Sequence, residues 1–105
     1  MAYNLIVTEH ADSLIDSLTF YLLHNLHNPD AALHFMDGLE NVYERLAENP
    51  FQFPESRDDF LRRREYREAL VPEMDYRVVF RIEAPKEVYI VGVFHALEHY
   101  VTKVE

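Results

Sequence analysis

The sequence predicts a single α+β domain in which two helices pack on a small, largely antiparallel sheet, with the element order β-α-α-β-β-β. Three observations support this fold class. Apolar residues recur with the period of a helix through the first half of the chain, and with the period of a strand near its end. The length, 105 residues, suits one modest core. We therefore expect one domain over residues 1–105.

The first half of the chain is predicted to contain one strand and two helices. Tyr3–Val7 is a short apolar run typical of a strand. Thr8 is a suitable N-cap for a helix that reaches about Leu26. A second helix is expected to begin at Asn28 and to end at Asn49. Pro29 follows Asn28 and suits the first turn of a helix, whereas Pro50 follows Asn49 and ends the helix.

The second half is predicted to supply three strands. Residues 51–64 are irregular and are expected to form a loop that includes one helical turn. Glu65–Val71 is a plausible strand. Tyr76–Ile82 and Val88–Phe94 form a predicted hairpin, joined by the proline-containing turn Ala84–Lys86.

The apolar pattern of this hairpin also predicts its register. A three-residue loop places Phe80 opposite Ile90 and Tyr76 opposite Phe94, and a slip of one residue would mix the two faces. The expected core face contains Tyr76, Val78, Phe80, Ile82, Val88, Ile90 and Phe94. The expected front face contains Arg77, Val79, Arg81, Tyr89, Val91, Val93 and His95.

Composition excludes several function classes. The formal net charge of −9 argues against a general nucleic-acid binder, because phosphate contacts need clustered Lys and Arg. Residues 1–44 contain neither, and we interpret this acidic half as a solvated helix surface. The chain has no cysteine, no secretion signal and no apolar run long enough to span a membrane. These features predict a cytoplasmic protein without a membrane partner.

The front face of the hairpin is the first candidate site. Arg77, Arg81 and His95 could together bind a phosphate and supply an acid or base near neutral pH. On the alternative interpretation, the arginines only keep this face solvated and pair with nearby glutamates.

A second candidate is the string His95-Ala96-Leu97-Glu98-His99, which matches the H-x-x-E-H motif of a class of zinc hydrolases. Zinc-dependent hydrolysis through His95, Glu98 and His99 is therefore a remote alternative. The chemistry needs both histidines on one helix face, whereas this match starts at the end of a strand. We expect no metal site and no cofactor.

The segments PFQFPES, EYREALV, DYRVVFRIE and VYIVGVFHALEHY, in this element order, resemble the RelE/ParE superfamily of bacterial toxins. The resemblance implies the toxin-like component of a type II toxin–antitoxin, or plasmid stabilisation, module with a cognate antitoxin as partner. It implies one of two actions. The RelE branch consists of ribosome-dependent mRNA endonucleases, or mRNA interferases, and the ParE branch inhibits DNA gyrase.

The resemblance also implies roles for individual residues. On the nuclease branch, Arg77 would bind the phosphate with help from Arg67 or Arg81, and the acid–base candidates would be His95, His99 and Tyr100. The family usually continues after the histidine with glycine and arginines, whereas this chain has Ala-Leu-Glu-His over residues 96–99. A non-catalytic, toxin-like binding protein that has lost activity is therefore the alternative.

Overall fold

The structure of the protein, a computed structural model, describes residues 2–95. Its elements, in chain order, are β1 (Asn4–Val7), α1 (Glu9–Phe20), a π-helical turn (Tyr21–Asn25), α2 (Pro29–Glu48), a 3₁₀ turn (Pro50–Gln52), α3 (Asp59–Arg63), β2 (Tyr66–Leu70), β3 (Tyr76–Glu83) and β4 (Glu87–His95).

The predicted helix starts are confirmed by their caps. The Thr8 hydroxyl accepts a hydrogen bond from the Ala11 N–H at 3.1 Å, and Asn28 accepts one from the Ala31 N–H at 3.1 Å. The end of the first helix differs from a regular α-helix. Its last turn widens into the π-helical turn, in which the Leu26 N–H bonds to the Tyr21 carbonyl at 3.0 Å.

The four strands form one sheet in the order β1-β4-β3-β2. Strands β2, β3 and β4 are antiparallel neighbours, and β1 lies parallel to β4 at one edge. The prediction of a largely antiparallel sheet is confirmed. Helix α1 packs against β4, and within residues 2–95 no helix combines the length and apolarity that a membrane span needs.

The predicted hairpin register is correct near the turn and wrong beyond it. Phe80 lies opposite Ile90 as expected, but the next pair joins Val79 to Gly92. Val91 is left over as a β-bulge, so Tyr76 lies opposite His95 and not opposite Phe94. One extra residue reverses the alternation of every later side chain in the strand. Val93 therefore belongs to the main core, and Phe94 to the other face.

Packing at one glycine explains why the bulged arrangement fits. A Cβ atom on Gly92 would lie 2.4 Å from the Phe94 ring, a separation that no real contact allows. The absence of a side chain at Gly92 therefore lets the Phe94 ring lie over the strand on this face.

Both faces of the sheet are covered. The main core lies on the face that α2 crosses, where Phe35 of that helix contacts the Tyr76 ring at 5.2 Å between centroids. A second, smaller cluster on the opposite face lies under α3 and consists of Leu61, Tyr66, Val79 and Phe94. The sequence predicted a loop with one helical turn over this segment, and the structure has the 3₁₀ turn and the short helix α3 there. Helix α3 forms because Asp58 accepts a hydrogen bond from the Leu61 N–H at 3.0 Å and thereby caps it.

Candidate functional site

The bulge separates the three residues of the expected front-face site. Arg77 and Arg81 alternate with Val79 and share its face, on which the smaller cluster lies. His95 is paired with Tyr76 and therefore shares the face of the main core, and its ring contacts Tyr76 edge-on at 5.4 Å between centroids. The expectation that His95 lies beside the two arginines is wrong, because it assumed an unbroken alternation.

Arg77 is paired with a buried carboxylate. Its Nη1 lies 3.7 Å from Oε1 of Glu68, whose side chain is only 7% exposed. The second carboxylate oxygen, Oε2, accepts a hydrogen bond from the buried Ser56 hydroxyl. The charge of Arg77 is therefore compensated within the protein, as the alternative interpretation of the front face expected.

Arg81 also has a carboxylate partner. Its Nη2 lies 2.8 Å from Oε1 of Glu83, and its guanidinium is 5.6 Å from the centroid of the Tyr66 ring. Among the described residues, its buried Nε has no hydrogen-bond partner. The outer nitrogen is thus held by Glu83, while the stem of the side chain lies against the aromatic ring.

Arg67 lies on the opposite face from the other two arginines. It is paired in register with Phe80, a residue of the main core. Its Nη1 donates to the Phe53 carbonyl oxygen at 2.7 Å, and its guanidinium is 5.2 Å from the centroid of the Phe51 ring. The structure therefore does not bring the expected phosphate-binding set, Arg67, Arg77 and Arg81, onto one surface.

Arg67 instead lines a cavity of about 500 Å³ at one end of the sheet. Its charged lining residues are Glu55, Arg62, Glu65, Arg67 and Glu83, and its other lining residues are Tyr3, Phe51, Ile82, Ala84 and Pro85. The positive charges are balanced by negative ones, and Arg62 is also paired with Asp59. The sequence did not predict this cavity, because its walls come from distant segments.

The sequence also did not predict a groove that lies between α1 and α2. It has a volume of about 410 Å³ and is lined by Val7, Asp12, Ile15, Asp16, Met36, Leu39, Glu40 and Tyr43. Burial raises the pKa of Tyr43 above its ordinary value of 10.0, and the nearby negative charge of Asp12 raises it further. The apolar residues Met36 and Leu39 are visible in the sequence, but the groove forms only where α1 and α2 lie side by side.

The other candidate residues fall at the end of the chain. Glu98, His99 and Tyr100 lie outside the described residues, so of the H-x-x-E-H string only His95, the last residue of β4, is described. Within residues 2–95, no group of three His, Asp or Glu side chains is placed to hold a metal ion.

Comparison with known proteins identifies the family. No curated protein matches the chain. Among solved structures, the chromosomal ParDE TA system from P. aeruginosa has a similar fold, with a TM-score of 0.70 and 18% sequence identity over 90% of this chain and 96% of that one. The family model described as the ParE toxin of the type II toxin–antitoxin system parDE matches residues 5–100. The resemblance to the RelE/ParE superfamily is thus confirmed, and the chain belongs to the ParE toxin family of type II toxin–antitoxin systems.

Proposed function

We propose that the protein is a cytoplasmic toxin that inhibits DNA gyrase, does not cleave mRNA, and is neutralised by a cognate antitoxin. Membership of the ParE family supports the gyrase branch, since that is the action the family resemblance implies. The separation of Arg77 from His95, the two described residues of the expected nuclease set at the end of the hairpin, supports it independently.

The observation that carries the proposal is the environment of Arg77. Cleavage of RNA by its 2′-hydroxyl develops negative charge on the phosphate, which must be stabilised by cations placed beside it. Arg77 is held by the buried Glu68, and His95 lies on the opposite face of the sheet. A phosphate at Arg77 would therefore meet a carboxylate nearby and would lie on the side of the sheet opposite to the His95 imidazole.

Two assays with the purified protein test this proposal. In the first, gyrase supercoils a relaxed plasmid with increasing amounts of toxin, and we expect inhibition that premixed antitoxin abolishes. In the second, primer extension on translated mRNA locates ribosome-dependent cuts, and we expect none. Cuts in the mRNA with unimpaired supercoiling would contradict the proposal and restore the nuclease branch.

Growth arrest on induction supplies a matched comparison in cells. His95→Ala and His34→Ala each remove one imidazole, the first from the end of β4 and the second from the exposed surface of α2. We expect both variants to arrest growth as the wild type does. A nuclease that relies on His95 would lose arrest in the first variant alone. If the wild type itself leaves growth unaffected, the non-catalytic binding protein becomes the better account.

A further inference from the structure

The cavity of about 500 Å³ at the end of the sheet, called the Arg67 cavity below, has an aromatic wall. Tyr3 and Phe51 line it, with their ring centroids 6.4 Å apart and their planes at 68°. Phe51 is 56% exposed although its side chain is large and apolar. Ile82 and Pro85 add further apolar surface to the lining. An exposed ring beside a cavity is a flat surface on which a planar ligand can stack.

Arg67 retains hydrogen-bond donors that the described residues do not use. Its Nη1 donates to the Phe53 carbonyl at 2.7 Å, and its guanidinium lies 5.2 Å from the centroid of the Phe51 ring. Within residues 2–95 it has no carboxylate partner, whereas Arg77 and Arg81 each have one. A guanidinium carries several N–H donors in one planar fork. The donors that Phe53 leaves over can therefore bind a pair of acceptor atoms in the cavity.

Two carboxylates lie beside Arg67 without neutralising it. Glu55 and Glu65 line the same cavity, and both are exposed. In the part of the chain that the structure describes, neither has an ion-pair partner. Glu55 is the antiparallel bridge partner of Arg67, and Glu65 precedes Arg67 by two residues. Residues at these spacings lie about 5–7 Å apart, so a ligand of the size of one heterocycle can contact the arginine and a carboxylate together.

The other two charged lining residues already have partners outside the cavity. Arg62 is paired with Asp59. The Glu83 carboxylate lies 2.8 Å from the Arg81 guanidinium. The charges that remain for a ligand are therefore those of Arg67, Glu55 and Glu65.

This combination specifies the chemistry of a ligand. A small anion would bind the arginine but would be repelled by two carboxylates, and a small cation would meet the reverse conflict. A neutral, planar heterocycle with acceptors on one edge and donors on the next avoids both conflicts. Guanine has this arrangement, because its O6 and N7 accept from an arginine while its N1–H and 2-amino group donate. The cavity volume lies in the range of small-molecule sites.

We propose that the Arg67 cavity binds the guanine base of a free nucleoside. Arg67 donates to O6 and N7 of the base, and Glu65 accepts from N1–H and the 2-amino group, with Glu55 beside it. The base stacks on Phe51. The net charge of −9 favours an uncharged nucleoside over a phosphorylated one, since phosphates are repelled by an acidic protein. None of these residues enters the account of gyrase inhibition.

A series of nucleosides tests the two edges of the base. Equilibrium dialysis of the purified protein compares guanosine, inosine, adenosine and xanthosine. We expect guanosine to bind, and inosine to bind about tenfold more weakly because it lacks the 2-amino donor. Adenosine exchanges donor and acceptor at the six-membered ring, and xanthosine has a carbonyl in place of the 2-amino group, so we expect neither to bind. Absence of guanosine binding, or equal binding of guanosine and adenosine, would overturn the proposal.

A pair of glutamate variants locates the binding. Glu65→Gln removes one carboxylate of the cavity, and Glu73→Gln is its matched control. Both residues are exposed and have nearly the same left-handed backbone conformation, with φ of 66° and 64°, but Glu73 does not line the cavity. We expect Glu65→Gln to weaken guanosine binding about tenfold and the control to bind within about twofold of the wild type. Similar affinities of the two variants would contradict the role of Glu65.

A pair of phenylalanine variants tests the stacking surface. Phe51 and Phe60 are both exposed rings with an arginine guanidinium nearby, at 5.2 Å for Arg67 and 3.5 Å for Arg64, but only Phe51 lines the cavity. We expect Phe51→Leu to weaken guanosine binding about tenfold and Phe60→Leu to have less than about a twofold effect. Melting temperatures of both variants verify that they are folded. Unchanged guanosine binding by folded Phe51→Leu would overturn the proposed stacking.

Two further ligands distinguish the sources of a guanine base. Guanosine monophosphate and a single-stranded guanine-containing oligonucleotide are dialysed under the same conditions as guanosine. We expect both to bind more weakly than guanosine, because their phosphates meet the carboxylates around the cavity. An oligonucleotide that binds more tightly than guanosine would show that the cavity belongs to a nucleic-acid surface, and would overturn the assignment to a free nucleoside.

Discussion

Glu68 determines what Arg77 can do. The carboxylate is buried on β2, receives the Ser56 hydroxyl on one oxygen and lies 3.7 Å from the Arg77 guanidinium on the other. A buried carboxylate needs such partners, because water no longer solvates it. The Ser56 hydroxyl is in turn positioned by the Asp58 N–H, which donates to it at 3.2 Å. This network joins the segment before α3 to the sheet.

Removing the Ser56 hydroxyl tests this network. We expect Ser56→Ala to lower the free energy of unfolding by about 1–3 kcal/mol, because Glu68 loses a hydrogen bond in a buried site. Urea denaturation followed by circular dichroism measures the change. Ser13→Ala, on the exposed surface of α1, is the control and should change stability by less than about 0.5 kcal/mol. Equal effects of the two substitutions would contradict a structural role for the network.

The loss of folding stability at alkaline pH tests the raised pKa of Tyr43. Because the pKa of Tyr43 is raised in the folded state, the folded protein retains the phenol proton better than the unfolded chain does. This contribution is fully present below about pH 10 and is lost as the pH rises through the folded pKa. We expect Tyr43→Phe to lose less stability than the wild type over that range. Tyr21→Phe, at an exposed position, controls for the removal of a phenol.

A spectroscopic titration gives the same comparison without unfolding. Absorbance of the phenolate should report a Tyr43 titration above the ordinary value of 10.0, and Asp12→Asn should lower its pKa toward that value, since one of the two causes is removed. A Tyr43 pKa that does not respond to Asp12→Asn would contradict the electrostatic part of this account.

At the scale of elements, the bulge in β4 decides which side chains meet. Val91 has no partner on β3, so the adjacent residues Phe80 and Val79 pair with Ile90 and Gly92, on either side of it. The bulge places Phe94 under α3 and His95 beside Tyr76. A hairpin without it could not satisfy both the smaller cluster and the main core with this sequence.

Two single-residue deletions make this account testable. Deleting Val91 removes the extra residue and retains every observed pair of the hairpin, so we expect the protein to fold and to lose about 1–3 kcal/mol from the partly buried valine. Deleting Val93 either keeps the bulge and brings Phe94 opposite Val78, on the wrong face, or removes the bulge and leaves Gly92 at the buried position of Val93, so it should cost more than deleting Val91. Urea denaturation compares them. Equal tolerance of both deletions would contradict the assigned bulge.

At the scale of the whole molecule, charge is distributed unevenly along the chain. The two long helices carry carboxylates without a Lys or Arg before residue 45, while arginines concentrate from residue 57 onward. The net charge is −9, and repulsion between carboxylates is therefore concentrated on α1 and α2. Such repulsion destabilises the compact state and is screened by salt.

Salt is therefore expected to stabilise the isolated protein. Raising the ionic strength from about 0.01 to 0.15 M shortens the screening length from about 30 to 8 Å, which weakens repulsion between helix surfaces. We expect the melting temperature to rise by a few degrees, measured by calorimetry. A variant that combines Asp12→Asn, Asp16→Asn and Glu40→Gln should show a smaller rise in melting temperature, because three of the repelling charges are gone. A melting temperature that falls with added salt would contradict this account.

The candidate site shows where prediction from the sequence stopped. The sequence led to the family, the fold class and the identity of Arg77 as a residue of interest, because these depend on element order and strand pattern. It did not show that Glu68 pairs with Arg77, since β2 and β3 are separated by a turn whose geometry sets their register. The groove between α1 and α2 was not predicted either, because its lining residues come from different elements that only the fold brings together.

The sequence by itself determined the local structure of this toxin. Thr8 and Asn28 supply caps to their own helices, and Phe80 opposite Ile90 follows from the nearby turn. Only the tertiary structure decided the faces on which Phe94 and His95 lie. The physical reason is that caps and turns use bonds between near neighbours, whereas the bulge is stabilised by packing of Phe94 in the smaller cluster and of Val93 in the main core, which form only when distant segments meet.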